Sequence, residues 1–277
     1  MAPRRPSIRL ACLSAVALAL LPAAAQAGVV APISVSKPVS VPAGESRSLT
    51  LRCPARAVAL NGAAPAATSS IPGPNGRGWT FRFASAAAAE TADASLRCVR
   101  MRLPDRISGV GLVVETRIEP VAELAPGASA RLDVTCSSGM MPTGWGLERE
   151  GAGKGIAVTA ATPRRRGWSF AFVNAGAAPA TATAAIRCLE RRQRARTGQR
   201  HAFATRVASF EENIAATARR SCRTGEFSLA TGISLPGGVH LLGTGLAGQR
   251  GGKWTFSAAT TSETTLLCLA RTTRFSR

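Results

Sequence analysis

Apolar and polar residues alternate along two short stretches of the chain that each end at a cysteine. The stretches Leu-Thr-Leu-Arg-Cys at 49–53 and Leu-Asp-Val-Thr-Cys at 132–136 have the two-residue period of a half-buried β-strand. A turn that contains proline and glycine precedes each of them, at 42–44 and at 126–127. The pattern therefore predicts a β-strand that leads into each of these cysteines.

The stretch before a third cysteine, Cys222, departs from this pattern. The residues Asn-Ile-Ala-Ala at 213–216 stand in place of the turn, and Arg220 occupies a position that the alternation would turn inward. We therefore expect this copy of the strand to be capped differently, or packed less tightly, than the other two.

Internal repetition is the strongest signal in the chain. Six cysteines fall into three pairs with separations of 45, 52 and 46 residues, and a Trp-Ser/Thr-Phe tripeptide lies inside each pair. The pairs are Cys53 with Cys98, Cys136 with Cys188, and Cys222 with Cys268, and the tripeptides begin at Trp79, Trp168 and Trp254. Because equivalent positions in equivalent repeats should pair alike, these three pairs are the predicted disulfides.

The repeats predict three tandem β-modules at 29–106, 107–197 and 198–277. In the first module we predict strands at 29–41, 49–53, 57–60, 79–83 and 95–101. Short strands at regular spacing, separated by Gly/Pro turns, favour an all-β fold of sandwich-like, immunoglobulin-like modules closed by disulfides. Helical periodicity is weak, and its best candidate, the alanine-rich stretch at 84–94, is either a short helix or a loop.

Each tripeptide places aromatic side chains on one face of a strand. Trp79, Phe81 and Phe83 share a face because side chains alternate with a period of two. We predict that these residues and their counterparts form the core of each module; the alternative is an exposed carbohydrate-binding platform. A module of about 80 residues is marginally stable alone, and a disulfide that closes a loop of about 46 residues would add roughly 4 kcal/mol.

The first 27 residues have the three parts of a secretory signal peptide. Arginines at 4–9 form a basic start, residues 10–21 are an uncharged apolar run, and Ala-Gln-Ala at 25–27 supplies a cleavage site before Gly28. The run is shorter than the ~20 residues that span a bilayer, and an N-terminal membrane anchor is the alternative. We predict a protein that is secreted, extracellular or located in the cell envelope, with no membrane span in the mature chain.

Six cysteines remain when Cys12 is removed with the signal peptide, and an even number in an exported chain favours disulfides. A zinc site is the rival interpretation, but it needs closely spaced ligand pairs. The nearest of these cysteines are 34 residues apart. We therefore predict no metal ion and no cofactor.

The order Cys, a glycine-bearing stretch, Gly-Trp and Cys resembles a repeat of secreted surface and fibre-like bacterial proteins. Gly-Trp at 78–79 and at 167–168 fits this order, as does Cys-Pro at 53–54. The third repeat departs from it with Lys253 before its tryptophan, and the first cysteines of the second and third repeats have no proline after them. The resemblance covers the mature chain and implies an extracellular module without an active site.

The sequence offers little for hydrolytic chemistry. It has two histidines, His201 and His240, and no serine lies in a Gly-x-Ser-x-Gly motif. Glu148 lies two residues before Glu150, and a pair of glutamates occupies 211–212, so a glycosidase-like pair of carboxylates is an alternative. We predict that the protein is not an enzyme.

Arginine supplies most of the basic residues, and the formal net charge is +20. A basic exported protein tends to associate with anionic surfaces. Arg191, Arg192, Arg194 and Arg196 form the candidate anion-binding site, and a further arginine run at 164–166 lies upstream in the same repeat. Guanidinium groups bind phosphate through a bidentate fork. The alternative is a solvated linker between the second and third modules.

The sequence leaves the partner open. Our first hypothesis is a secreted, non-enzymatic binding, adhesive or structural repeat protein, whose partner is an anionic polymer or another surface protein. The second is a basic binder of an anionic cell-wall polymer or of extracellular nucleic acid, and the third is a secreted hydrolase. Because few aromatic residues lie near the arginine run, namely Phe203 and Phe210, an electrostatic contact is favoured over base stacking.

Overall fold

The computed structural model describes residues 28–85, 88–102, 111–149, 155–194, 200–214, 217–236, 239 and 241–276. The predicted signal peptide at 1–27 lies outside these residues. Every helix or strand among the described residues is a β-strand, so the predicted all-β class is confirmed. The alternative of a short helix at 84–94 is wrong, because Glu90–Arg102 form one strand that pairs with Val29–Val41 over its whole length.

Within the described residues the strands form three series of six, and three short strands lie between and after the last two series. The first series is β1 (Val29–Val41), β2 (Ser46–Arg52), β3 (Val58–Ala63), β4 (Ser69–Pro72), β5 (Gly78–Ala84) and β6 (Glu90–Arg102). The second is β7 (Val114–Leu124), β8 (Ser129–Thr135), β9 (Met140–Arg149), β10 (Ile156–Arg164), β11 (Gly167–Asn174) and β12 (Ala180–Glu190). The third is β15 (Thr205–Ile214), β16 (Thr217–Ser221), β17 (Glu226–Ser234), β18 (Leu241–Ala247), β19 (Gly251–Phe256) and β20 (Thr260–Ala270). The short strands are β13 (Arg192–Arg194), β14 (Arg200–Ala202) and β21 (Arg274–Ser276).

The same antiparallel pairing occurs in all three series. The sixth strand pairs with the first and the third, and the fifth strand pairs with the second and the fourth. Each series thus contains two groups of three strands, and a disulfide joins the end of the second strand to the sixth. The three disulfides are the predicted ones, with Cα–Cα distances of 5.7, 5.9 and 5.9 Å. The module boundaries and the immunoglobulin-like character stay predictions.

The three repeated tryptophans lie in the core. Trp79, Trp168 and Trp254 are 0%, 1% and 0% exposed, so the predicted core role is confirmed and the exposed platform is wrong. The rings are buried because they pack between the two groups of strands. A Cβ at Gly62 on β3 would lie 2.3 Å from the ring of Trp79 on β5, so this position has no room for a side chain.

The third series differs from the others in the position of its tryptophan. In the first two series the tryptophan lies opposite the residue two positions before the first cysteine, whereas Trp254 lies opposite Ala218, four positions before it. Gly252 takes the vacated place, opposite Arg220. Arg220 is half-buried, and its guanidinium carbon lies 5.6 Å from the ring centroid of Phe210. The expected departure of this copy is therefore a shift of two residues along the strand.

Strand pairing continues from one series into the next. β4 of the first series pairs with β9 of the second at Ser70 and Leu147, and β10 of the second pairs with β17 of the third. β18 of the third series contacts β3 of the first. The fourth strand of each series therefore meets the third strand of another, which closes the three series into a ring.

The two ends of the described chain complete this ring. The N–H group of Val30 donates to the carbonyl of Arg271 at 2.7 Å, and the N–H group of Thr273 donates to the carbonyl of Gly28 at 2.9 Å. Between the first two series, the hydroxyl of the buried Thr143 on β9 donates to the carbonyl of the buried Leu60 on β3 at 3.1 Å. The series therefore share an interior.

Two fully buried arginines connect neighbouring series. Arg97 on β6 donates to the carbonyl of Gly248 in the third series at 2.5 Å, and Arg187 on β12 donates to the carbonyl of Gly73 in the first series at 2.6 Å. Burial lowers the pKa of each guanidinium to about 10. The equivalent residue of the third series is Leu267, which lies opposite Val207.

Candidate anion-binding site

An open depression of about 650 Å³ lies at one end of the second series. Its lining includes the Ser-Gly-Met stretch at 138–140, which leads into β9. The arginines that line it come from three separate parts of the chain and are Arg165, Arg166, Arg191, Arg192 and Arg200. All five arginines are exposed. The fold thus brings together two arginine runs that are more than twenty residues apart in sequence.

The turn between β10 and β11 presents the first two of these arginines. The N–H group of Cys136 donates to the carbonyl of Arg166 at 2.6 Å, and the guanidinium of Arg166 donates back to the carbonyl of Cys136 at 3.4 Å. These bonds tie the turn to the disulfide that closes the second series. Arg165, at the tip of the turn, is left with its side chain in solvent.

The segment after β12 holds the next two arginines against the fold. The N–H group of Arg191 donates to the carbonyl of Gly139 at 2.9 Å, and the carbonyl of Arg191 accepts from the N–H group of Phe203 at 3.0 Å. The neighbouring Gln193 is buried and accepts from the N–H group of Val113 at 3.1 Å. Because side chains alternate along a strand, this inward glutamine leaves Arg192 pointing outward.

Arg200 reaches the depression from β14, which pairs with β13 on one side and β21 on the other. Its neighbour His201 is buried and shares a hydrogen bond of 3.1 Å with the hydroxyl of Thr273. Burial lowers the pKa of His201, so the neutral form of the ring is favoured near pH 7. His201 therefore anchors the strand that carries Arg200 and adds no positive charge to the site.

The five arginines of the depression carry a positive charge that is little compensated. None of them forms an ion pair with a carboxylate of the described chain, and Glu190 is the one acidic residue of the lining. Elsewhere the fold does neutralise arginine, since Arg206 binds both carboxylate oxygens of Glu226, at 3.0 and 2.6 Å. Like charges that are held close together without partners favour the binding of an anion.

The predicted site coincides with this depression in part. Arg191 and Arg192 line it. Arg194 lies on β13, but its side chain is not described, and Arg196 lies outside the described residues. The site also has contributions from Arg165, Arg166 and Arg200, which were not among the predicted site residues. The run at 164–166 in the same repeat was the sequence signal for Arg165 and Arg166, and Arg200 follows the last predicted site residue, Arg196, by four residues.

The other candidate groups have different surroundings. Glu148 forms an ion pair with Arg82 at 3.1 Å, and Glu150 and His240 lie outside the described residues. Glu211 is exposed and lies opposite Glu263 across β15 and β20, while the side chain of its neighbour at 212 is not described.

Two carboxylates lie beside disulfides, and this arrangement has the composition of a metal site. Glu115 is close to the sulfurs of Cys136 and Cys188, and Glu226 is close to those of the third disulfide. Metal ions bind thiolates, and a sulfur in a disulfide is not a thiolate. Both carboxylates instead accept backbone N–H groups, from Ser137 and Arg223.

No protein-family model matches this chain, and no curated protein matches it either. Among the described residues there is no helical stretch with the length and apolar character that crossing a bilayer requires.

Proposed function

We propose that this protein is an exported, non-enzymatic binding protein whose arginine-lined depression holds an anionic polymer of the cell wall. The observation that carries the proposal is the convergence of five exposed arginines from three parts of the chain, with one glutamate among them. A solvated linker, the alternative from the sequence, would not need the hydrogen bonds that join the backbone of Arg191 to Gly139 and to Phe203.

The chemistry of the lining favours repeated phosphate groups as the ligand. Arginine binds phosphate through two parallel N–H donors, and several arginines in an open depression suit a chain of phosphates better than one small anion. The described lining contains no aromatic side chain on which bases would stack. We therefore favour a phosphodiester polymer with polyol units over extracellular nucleic acid.

Export is part of the proposal and is supported by two features. Residues 1–27 have the basic start, the apolar run and the small-residue cleavage site of a secretory signal peptide. Three buried disulfides are typical of an oxidising extracellular environment. We also propose that each series of six strands is one copy of a repeated module.

The test replaces Arg165, Arg191, Arg192 and Arg200 together with glutamine. Arg166 is kept, because it also bonds to the carbonyl of Cys136. The probe is a fluorescein-labelled abasic phosphodiester oligomer of about 12 phosphates, which carries charge without bases. Five phosphate contacts predict that log K falls with log salt with a slope of about −3.5 to −4.5, and the fourfold variant should flatten it by roughly 3.

A matched control replaces four exposed arginines that lie outside both arginine-rich ends, and the control positions are Arg47, Arg131, Arg219 and Arg223. The control has the same net charge as the test variant, so it should keep most of the affinity. Equal losses in the two variants would contradict a local site. Oligothymidylate of the same length that binds more than about 5-fold tighter than the abasic oligomer would instead assign the site to nucleic acid.

A further inference from the structure

The turn that follows the first cysteine is the same in all three series. In each, the fourth residue donates its N–H group to the carbonyl of the first, at 3.1–3.2 Å. The three turns span residues 54–57, 137–140 and 223–226. Their third positions are Arg56, Gly139 and Gly225, so residues of the three turns can be compared directly.

Arg56 is held in a backbone conformation that suits glycine. Its φ is 61°, and the equivalent Gly139 and Gly225 both have a φ of 82°. A left-handed conformation brings Cβ close to the backbone carbonyl in any residue other than glycine. Arg56 is the one non-glycine residue with positive φ among the described residues. A strained residue of this kind is a reason to look for a function.

The fold gives Arg56 no structural partner that explains the strain. It is exposed, and it forms no hydrogen bond or ion pair with any described residue. Its counterpart in the second series, Gly139, lines the arginine-lined depression. Arg56 therefore adds a free positive charge at the corresponding place of the first series.

Other arginines occupy corresponding places around it. Arg77 donates to the carbonyl of Cys53 at 3.2 Å, as Arg166 does to that of Cys136. Arg100 and Arg102 follow the second cysteine by two and four residues, so they correspond to Glu190 and Arg192. The first series thus has arginine where the depression of the second series has its acidic residue.

We infer that this end of the first series, which carries Arg56, is a second binding site for the same phosphodiester polymer. This inference rests on the function proposed above. A polymer long enough to leave the first depression would engage both sites, and the second contact would raise its affinity through a local increase in effective concentration.

The experiment compares the wild type with Arg56→Gly, using abasic oligomers of about 6 and about 24 phosphates. Loss of one phosphate contact should weaken binding of the long oligomer about 5-fold at 0.1 M salt and flatten its salt slope by about 0.7–0.9. The short oligomer, which occupies the second series, should bind as before. Because glycine removes the strain, the variant should also melt about 1–4 °C higher.

Two further variants separate charge from strain. Arg56→Lys should keep most of the affinity for the long oligomer, and Arg56→Gln should weaken it about 5-fold, as glycine does, but without a rise in Tm. Arg56→Gly that binds the long oligomer as tightly as the wild type would overturn the inference. If the fourfold variant of the second series also binds like the wild type, or the wild type binds neither oligomer, the proposed function fails as well.

Discussion

Gly146 lies on β9 where the first and second series join, and its replacement by alanine tests whether the series are coupled. A Cβ built there would lie 1.8 Å from the carbonyl oxygen of Ser70 on β4, whereas real Cβ contacts essentially never fall below 3.0 Å. Ser70 is paired with Leu147, the next residue along β9. The two strands would therefore have to separate, because a backbone oxygen cannot rotate away.

The expected cost follows from three contributions. Overpacking against the backbone costs up to about 3 kcal/mol. Movement of Ser70 would also weaken the hydrogen bond of 2.9 Å from the indole of Trp79 to its hydroxyl, which contributes about 1 kcal/mol. Gly146 does not have a positive φ, so alanine itself would stabilise the chain by about 0.4–1 kcal/mol. The net loss is therefore up to about 3 kcal/mol, or a fall in Tm of up to about 6–12 °C.

The test is to measure by calorimetry the Tm of Gly146→Ala and of the control Gly245→Ala. Gly245 lies on β18, and a Cβ there would meet its nearest neighbours at 3.8 and 3.9 Å, an ordinary contact. Gly245→Ala should therefore melt at or slightly above the temperature of the wild type. Gly146→Ala with an unchanged or raised Tm would refute the coupling of β4 and β9 that the ring requires.

Two more predictions concern the stability of the fold at acidic pH and the first residue of the mature chain. The hydrogen bonds from Arg206 lower the pKa of Glu226 below its ordinary value of 4.5, so their contribution is complete above pH 4.5 and is lost as the pH falls. The free energy of unfolding of Glu226→Gln should therefore be about 1.5–3 kcal/mol lower than that of the wild type at pH 7. Urea titrations should show that this difference becomes smaller as the pH falls toward 3. N-terminal sequencing of exported protein should begin at Gly28, and a start before residue 20 would contradict the signal peptide.

The local structure of each series was predictable because it is dictated by short-range patterns. The disulfides followed from the threefold spacing of the cysteines, and strands β1, β2 and β5 followed from alternation and turns. β4 was missed, because its four residues Ser69–Pro72 are too few to show a period. The register of Trp254 was missed for a similar reason, since a shift by two residues keeps the side chain on the same face.

Only part of the binding site could be predicted from the sequence. Its two arginine runs lie in different segments, and the fold brings them together at the turn between β10 and β11. The sequence placed Arg191 and Arg192 in one segment and the run at 164–166 in another, with no pattern to measure the distance between them. Contact depends on the disulfide between Cys136 and Cys188, which holds the β10–β11 turn beside the end of β12. Long-range contacts of this kind leave no periodic trace in a single sequence.

The residue before the second cysteine of each series indicates that neighbouring series pack against each other. Cys188 points into its own series, where it bonds to Cys136, so Arg187 must point to the other side of the sheet. In an isolated sandwich that side would face water. Arg187 is fully buried there, because the turn at Gly73 of the first series covers it and accepts its hydrogen bond.

The equivalent residues of the other two series are also buried. Arg97 is covered by the third series through the carbonyl of Gly248, and Leu267, 3% exposed, is an apolar residue in the same outward phase. A buried cation without a carboxylate needs geometrically fixed acceptors, whereas leucine needs none. Arg97 therefore fixes the alignment of the first series with the third, and Arg187 fixes that of the second series with the first. The alignment of the second series with the third depends instead on apolar packing and on the pairing of β10 with β17.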